Sequence, residues 1–294
     1  MRDLKPSKRD TIEFIKEVIN KTHKRKTDET NKLSYKERCL SVVSKYRSNI
    51  LEYDQKMSTN KLEDLVDIHP SINPEEKEDY KSLYGYKNSS IKKIRDEILI
   101  SNGYIDEKCP LCEVNTVQTM DHFIPQTKFP LYSINPKNLI PSCWTCNVKK
   151  SETVLDVDKR KYWNVYLDKV PVEKFLYCSL EEKEGILCTH FYIQQNGIDD
   201  NTFRLLNNSM IGQDILQTYS DGSGWVIAGL INEIIAHKKH NLELSFDEIF
   251  FSHMKLFSYW SVSNKWDEVL KFELLKSDAF KKLVQKEYER LNKK

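Results

Sequence analysis

The stretch "MDHFIPQTKFPLYSINPKNLIPSCWTCNVKK", residues 120–150, decides how this chain is read. It carries an Asp-His pair (Asp121, His122), an asparagine at Asn138, and Cys143-x-x-Cys146 followed directly by Asn147. A matching pair, Cys109 and Cys112, lies just upstream, with 30 residues (113–142) between the two pairs. Two Cys-x-x-Cys pairs supply four thiolates, the ligand set of a closed tetrahedral structural zinc site. The segment is rich in proline (Pro110, Pro125, Pro130, Pro136, Pro141) and has little core of its own, so metal binding would supply much of its folding energy.

The order of these residues resembles the HNH, or ββα-metal, endonucleases, in the variety where two cysteine pairs bind a structural zinc around the active site. The resemblance covers about residues 105–152 and rests on three matches. Asp121-His122-Phe123-Ile124-Pro125 has the Asp-His-x-x-Pro form, Asn138-Leu139-Ile140 the central Asn-Leu, and Cys146-Asn147-x-x-Lys150 the closing signature. The third letter of the motif is Asn147 here and not His. An amide oxygen is a harder ligand than imidazole and tilts the expected catalytic ion toward magnesium or manganese.

The resemblance implies a small treble-clef-like zinc module that hydrolyses phosphodiester bonds. His122 is the expected general base, since an imidazole titrates near working pH. Asp121 and Asn147 are the expected ligands of one divalent cation, and Asn138 is expected to act structurally, pinning the hairpin or orienting His122. Lys150, three residues after Asn147 on the same helix face, either touches phosphate or is simply solvated.

Outward from the module, the flanks read as helical. Ser34-x-x-Glu37 is a capping box opening a helix with the apolar face Cys39, Val43, Tyr46, Ile50 and Tyr53. Ile12, Ile15 and Ile19 mark an earlier helix, whose far end carries His23-Lys24-Arg25-Lys26. Asn73-Pro74 reads as an N-cap with proline at the first helical position. Ile91, Ile94, Ile98 and Leu99 line a helix stopping at Asn102-Gly103. Past the module, residues 186–194 read as a strand, and Ser245-x-x-Glu248 caps a helix bearing Ile249, Phe250, Met254 and Phe257. The expected fold is mainly α with a central ββα zinc module. The regions are a helical 1–103, a nuclease module over 104–165 and a mainly helical 166–294.

Composition sets the remaining bounds. Hydrophobic residues are 39% and charged residues 31% of the chain, and no apolar run approaches the length of a membrane span. The opening MRDLKPSKRD lacks an apolar signal segment, so a cytoplasmic protein is expected. Seven cysteines are too few for a disulfide scaffold, and Cys39, Cys178 and Cys188 read as buried small hydrophobes. The net charge of +2 leaves any nucleic-acid surface to local clusters, for which Lys92, Lys93 and Arg95 and the run at 23–26 are candidates, each also readable as a solvated helix face. The other histidines, at positions 23, 69, 190, 237, 240 and 253, have no comparable frame, and His237 and His240 are expected on an exposed basic helix end.

The expected function is a metal-dependent HNH nuclease cutting DNA, with two alternatives: a nuclease of the same kind cutting RNA, and an inactive zinc-stapled module that binds nucleic acid or acts as a scaffold. The layout of helical flanks around the module resembles effectors of bacterial anti-phage systems of the Septu type. That resemblance implies an ATPase partner subunit.

Overall fold

The computed structural model describes the chain except for residues 24, 26–27, 29–32, 68–71, 86, 151, 153–154, 157–158 and 294. Lys24 and Lys26 of the basic run, and His69, therefore lie outside the described residues. The fold is mainly helical with small two-stranded sheets, and the chain divides into two compact units, Met1–Val170 and Pro171–Lys294. The N-terminal helices and the cysteine segment share the first unit.

In the first unit, α1 (Thr11–Asn20) opens on Asp10, whose side chain accepts from the Glu13 amide. It buries Ile12, Ile15 and Ile19 together with Phe14 and Val18. The capping box at Ser34 and Glu37 is formed, and it starts α2 (Tyr35–Lys45). The apolar face expected to run through one helix instead spans two. Tyr46, at φ −112° and ψ 24°, leaves helical geometry and joins α2 to α3 (Arg47–Ser58). Cys39, Val43, Ile50 and Tyr53 are still all buried, because the break falls between turns of the same stripe.

Asn73 caps α4 (Pro74–Lys81), and Asn88 caps α5 (Ser89–Leu99), which buries Ile91, Ile94 and Ile98. Asn102-Gly103 is not the end of this helix. The two residues sit at φ 49° and 88° and form the turn of a hairpin between β1 (Ile100–Ser101) and β2 (Tyr104–Ile105). Positive φ at both central residues is what a tight hairpin turn of matching twist requires, and Asn-Gly supplies it.

The segment that follows is β3 (Thr119–His122), β4 (Leu139–Ser142) and α6 (Trp144–Lys150), with β3 antiparallel to β4 and Asp121 opposite Ile140. A short two-stranded ladder, β5 (Leu155–Asp156) with β6 (Lys159–Arg160), comes after it. Side chains of surrounding loops satisfy carbonyls of the hairpin: Tyr84 Oη donates to Met120 O at 2.6 Å and Tyr166 Oη to Leu139 O at 2.6 Å.

The second unit begins with β7 (Leu176–Lys183) and β8 (Ile186–Ile193), an antiparallel hairpin turning at Glu184 and Gly185, both at positive φ. Residues 186–193 form the strand expected from the sequence, and they pair with β7, which the sequence does not announce. Helices α7 (Asp200–Gly212), α8 (Ile215–His240), α9 (Phe246–Leu256), α10 (Trp266–Lys276) and α11 (Asp278–Asn292) complete the unit. The hairpin packs on α8 and α10, where Tyr219 and Trp266 stack at 5.5 Å and Phe191 meets Tyr219 edge-on at 5.4 Å. The capping box at Ser245 and Glu248 is formed at the start of α9. Among the described residues, no helix is long and apolar enough to cross a membrane.

Candidate functional site

The four cysteines converge. Sγ atoms of Cys109, Cys112, Cys143 and Cys146 all lie within 4.8 Å of one another, and all four residues are buried. An ion bound to four thiolates at about 2.3 Å in a tetrahedron spaces them about 3.8 Å apart, and Cys112 Sγ is 3.9 Å from Cys143 Sγ. The donor set and its size thus fit a metal ion such as zinc. Crowding makes the thiols unequal: hydrogen bonds with Cys109, Cys112 and Cys146 push Cys143 down, and those with Cys109, Cys112 and Cys143 push Cys146 up. Without a central cation four adjacent thiolates repel one another, so a cation is what lets all four ionise.

The local backbone is shaped for this cluster. Asn115 O accepts from the Cys109 amide at 2.8 Å and Cys109 O from the Glu113 amide at 2.8 Å, with Glu113 at φ 55°. The Cys146 amide and Asn115 Nδ2 both point at Cys143 Sγ, at 3.5 and 3.8 Å. Arg2, which carried no signal in the sequence, braces the first knuckle. Its guanidinium donates to Lys108 O at 2.7 Å and Asp106 O at 2.9 Å, and its amide donates to Pro110 O.

Asp121 and His122 end β3, and their side chains go to different partners. The Asp121 carboxylate is buried against Lys150, whose Nζ lies 2.9 Å from Oδ1 and 2.8 Å from Oδ2 and donates to His122 O at 2.7 Å. Lys150 is itself buried, so it is neither a solvated lysine nor a surface phosphate contact, the two readings its position in the sequence allowed. Its stem runs inward from the last turn of α6, and burying its charge is tolerable only because the carboxylate meets it.

His122 Nε2 lies 2.8 Å from Ser133 O. A carbonyl only accepts, so Nε2 carries the proton and Nδ1 keeps its lone pair. Burial holds the imidazole well below its usual range, at about 4, against the opposing pull of the Ser133 carbonyl and Asp121. The ring is met edge-on by Tyr84 at 4.3 Å between centroids. No sequence signal pointed to Tyr84 or Ser133, because one comes from a distant loop and the other acts through its backbone.

Asn138 is buried and spends its whole amide on the loop between the strands. Its Oδ1 accepts from the Ile124 amide at 2.7 Å, and Nδ2 donates to Ile124 O and Tyr132 O, each at 3.0 Å. The β3–β4 ladder continues one step further through Phe123 N to Asn138 O, and the side chain then takes over where the backbone strands part. Tyr132 immediately precedes Ser133, so this amide also fixes the carbonyl that holds His122. Asn147 lies on α6 one turn before Lys150, half-buried, with its amide bonded to Cys143 O at 3.1 Å. The cysteine cluster thereby sets where its side chain begins.

No family description matches the chain, and no solved structure does. Protein ea31 of Escherichia phage lambda is 36% identical over 85 residues, which is 28% of this chain and 28% of that protein. The chain thus matches only a minor part of that curated relative, and the likeness is one of segments.

Proposed function

We propose that the first unit is a metal-dependent endonuclease of the HNH kind that hydrolyses phosphodiester bonds in DNA. The observation that carries the reading is the state of His122: Nε2–H is committed to Ser133 O, and Nδ1 is left as a base at the end of a hairpin stapled by four cysteines. The fixed tautomer leaves Nδ1 as the proton acceptor, while burial lowers its basicity below the range expected of a base working near neutral pH. The approaching phosphate, being negative, favours the protonated ring and so raises its affinity for that proton.

The oxygen donors Asp121 and Asn147 would hold a hard divalent cation such as Mg2+ or Mn2+. That ion supplies positive charge for the phosphorane-like transition state and the leaving oxyanion. Lys150 takes up part of the Asp121 carboxylate, but an ionised carboxylate has about four lone-pair sites and keeps some for a second cation. Lys150 therefore aims the carboxylate, Asn138 holds the Ser133 carbonyl, and His122 accepts the proton at Nδ1. A structural zinc at Cys109, Cys112, Cys143 and Cys146 fixes the start of α6 and with it Asn147.

The ion pair of Asp121 with Lys150 favours a second reading, in which the carboxylate is purely structural and the segment is a nucleic-acid-binding or scaffolding module without catalysis. Incubating the purified chain with supercoiled plasmid, single-stranded DNA and RNA, each with Mg2+ or Mn2+, separates the readings. Cleavage of DNA lost in His122→Ala supports the nuclease, cleavage of RNA alone moves the substrate class, and binding without cleavage in every metal favours the second reading. The resemblance of layout to Septu-type effectors extends the proposal to an anti-phage role with an ATPase partner, which co-expression with neighbouring genes tests.

A further inference from the structure

Two of the histidines of the second unit, neither of which has a frame in the sequence, face each other across α8 and α9. His237, in the last turn of α8, turns Nδ1 toward Nε2 of His253 on α9, at 3.2 Å. His237 is half-buried, in contrast to the exposed helix end expected of it. His253 is buried, with 7% of its side chain exposed, and its Nδ1 is buried without a hydrogen-bond partner. Glu233 Oε1, from one turn earlier on α8 than His237, lies 3.6 Å from that nitrogen.

Two ring nitrogens that face each other with both lone pairs repel, so something positive lies between them, either one proton or one metal ion. The carboxylate beside His253 Nδ1 favours a proton on that nitrogen, which leaves the Nε2 lone pair aimed at His237. A histidine that ligates a metal typically presents its second nitrogen to a carboxylate in this way. Two nitrogens bound to one ion at about 2.0–2.1 Å stand about 2.9–3.4 Å apart for bond angles between square and tetrahedral, and the observed 3.2 Å falls within that span.

The geometry points to a second metal site, between α8 and α9, that takes a borderline divalent ion such as Zn2+, Ni2+ or Cu2+ through His237 Nδ1 and His253 Nε2. Imidazole donors select these ions over Mg2+ and Ca2+. The C-terminal end of α8 adds the negative end of its dipole, which favours a cation there. Water would complete the coordination, since Glu233 is about half exposed and His237 is half-buried. An ion held only by the packed helices stabilises the folded unit by mass action, because the ligands separate on unfolding.

The test uses the untagged full-length chain with its cysteine site already loaded and Mg2+ in excess, so that the Asp121 and Asn147 site is filled before Ni2+ is added. Ni2+ is titrated in by calorimetry while thermal unfolding is followed in parallel. The expected result is one further ion per chain and a Tm that climbs with Ni2+. His237→Ala and His253→Gln should each abolish both effects, and Glu233→Gln should weaken uptake by about tenfold. His190→Ala, an exposed histidine on β8, should change nothing. His253 is buried, so His237→Ala, checked for native circular dichroism, carries the result if the other variant fails to fold. No further ion in the wild-type protein, or undiminished uptake in His237→Ala, overturns the site. So does a stability that follows pH but ignores Ni2+, which would assign the pair to a shared proton.

Discussion

Lys150 and Asp121 form a buried ion pair in which one ammonium faces both oxygens of one carboxylate, at 2.9 and 2.8 Å, across the junction of α6 with β3. Truncating one partner strands the other charge in the interior. Lys150→Ala should therefore lower the unfolding free energy by about 3–5 kcal/mol, read from urea denaturation. Lys150→Met combined with Asp121→Asn should recover much of that loss, since both charges then leave together. A Lys150→Ala protein as stable as wild type would mean the pair is open in solution.

The cysteine cluster should hold one tightly bound zinc per chain. Elemental analysis of well-folded protein decides this, and its absence removes the assignment. Cys143→Ser should release the ion and unfold the β3–β4–α6 segment, with any activity lost as a consequence.

His122 should titrate near 4, far below the ordinary histidine range, which its imidazole proton resonances would report. The folded-state pKa is depressed, so between about 4 and 6.5 the unfolded chain binds more protons than the folded one. Stability should rise with pH through that window and level off above it, and His122→Gln should flatten the slope. His122→Ala should abolish cleavage with zinc content unchanged.

Asn138 and Asn147 should fail in different ways. Asn138→Ala orphans the buried Ile124 amide, at a cost of about 1–3 kcal/mol, and frees the loop that carries Ser133, so thermal stability should drop. Asn147→Ala should leave stability nearly unchanged and shift the Mg2+ or Mn2+ concentration needed for half-maximal cleavage. Wild-type metal dependence and rate in that variant would remove Asn147 from the site.

What the sequence disclosed followed from short-range rules. Capping boxes at Ser34 and Ser245 and the Asn73 cap are encoded within a few residues and appear as expected, and the apolar stripe from Cys39 to Tyr53 is buried but divided between two helices at Tyr46. The cysteine cluster was legible because ligand spacing is itself a local signal. The Asn102-Gly103 turn reads in the sequence as a helix stop, because the same dipeptide serves both uses and only the strands on either side distinguish them. The partner strand β7 gives little signal in the sequence because its outer half, Ser179 to Lys183, is half-buried or exposed and largely polar, which hides the alternation. Lys150, Tyr84, Ser133 and the facing histidines depend on contacts between distant segments, and no pattern near them announces those contacts.

The pairing of Lys150 with Asp121 also bears on how this part of the protein opens. β3 cannot part from α6 without exposing an ammonium and a carboxylate together, and neither element is comfortable with its own charge while the other is away. Backbone amides of the hairpin and of α6 should then exchange with deuterium as one cooperative unit, at one shared rate, and not fray separately from their ends. Motion in the candidate site is thus confined to concerted excursions, with the loop from Phe123 to Lys137 riding along because Asn138 ties it to the strand.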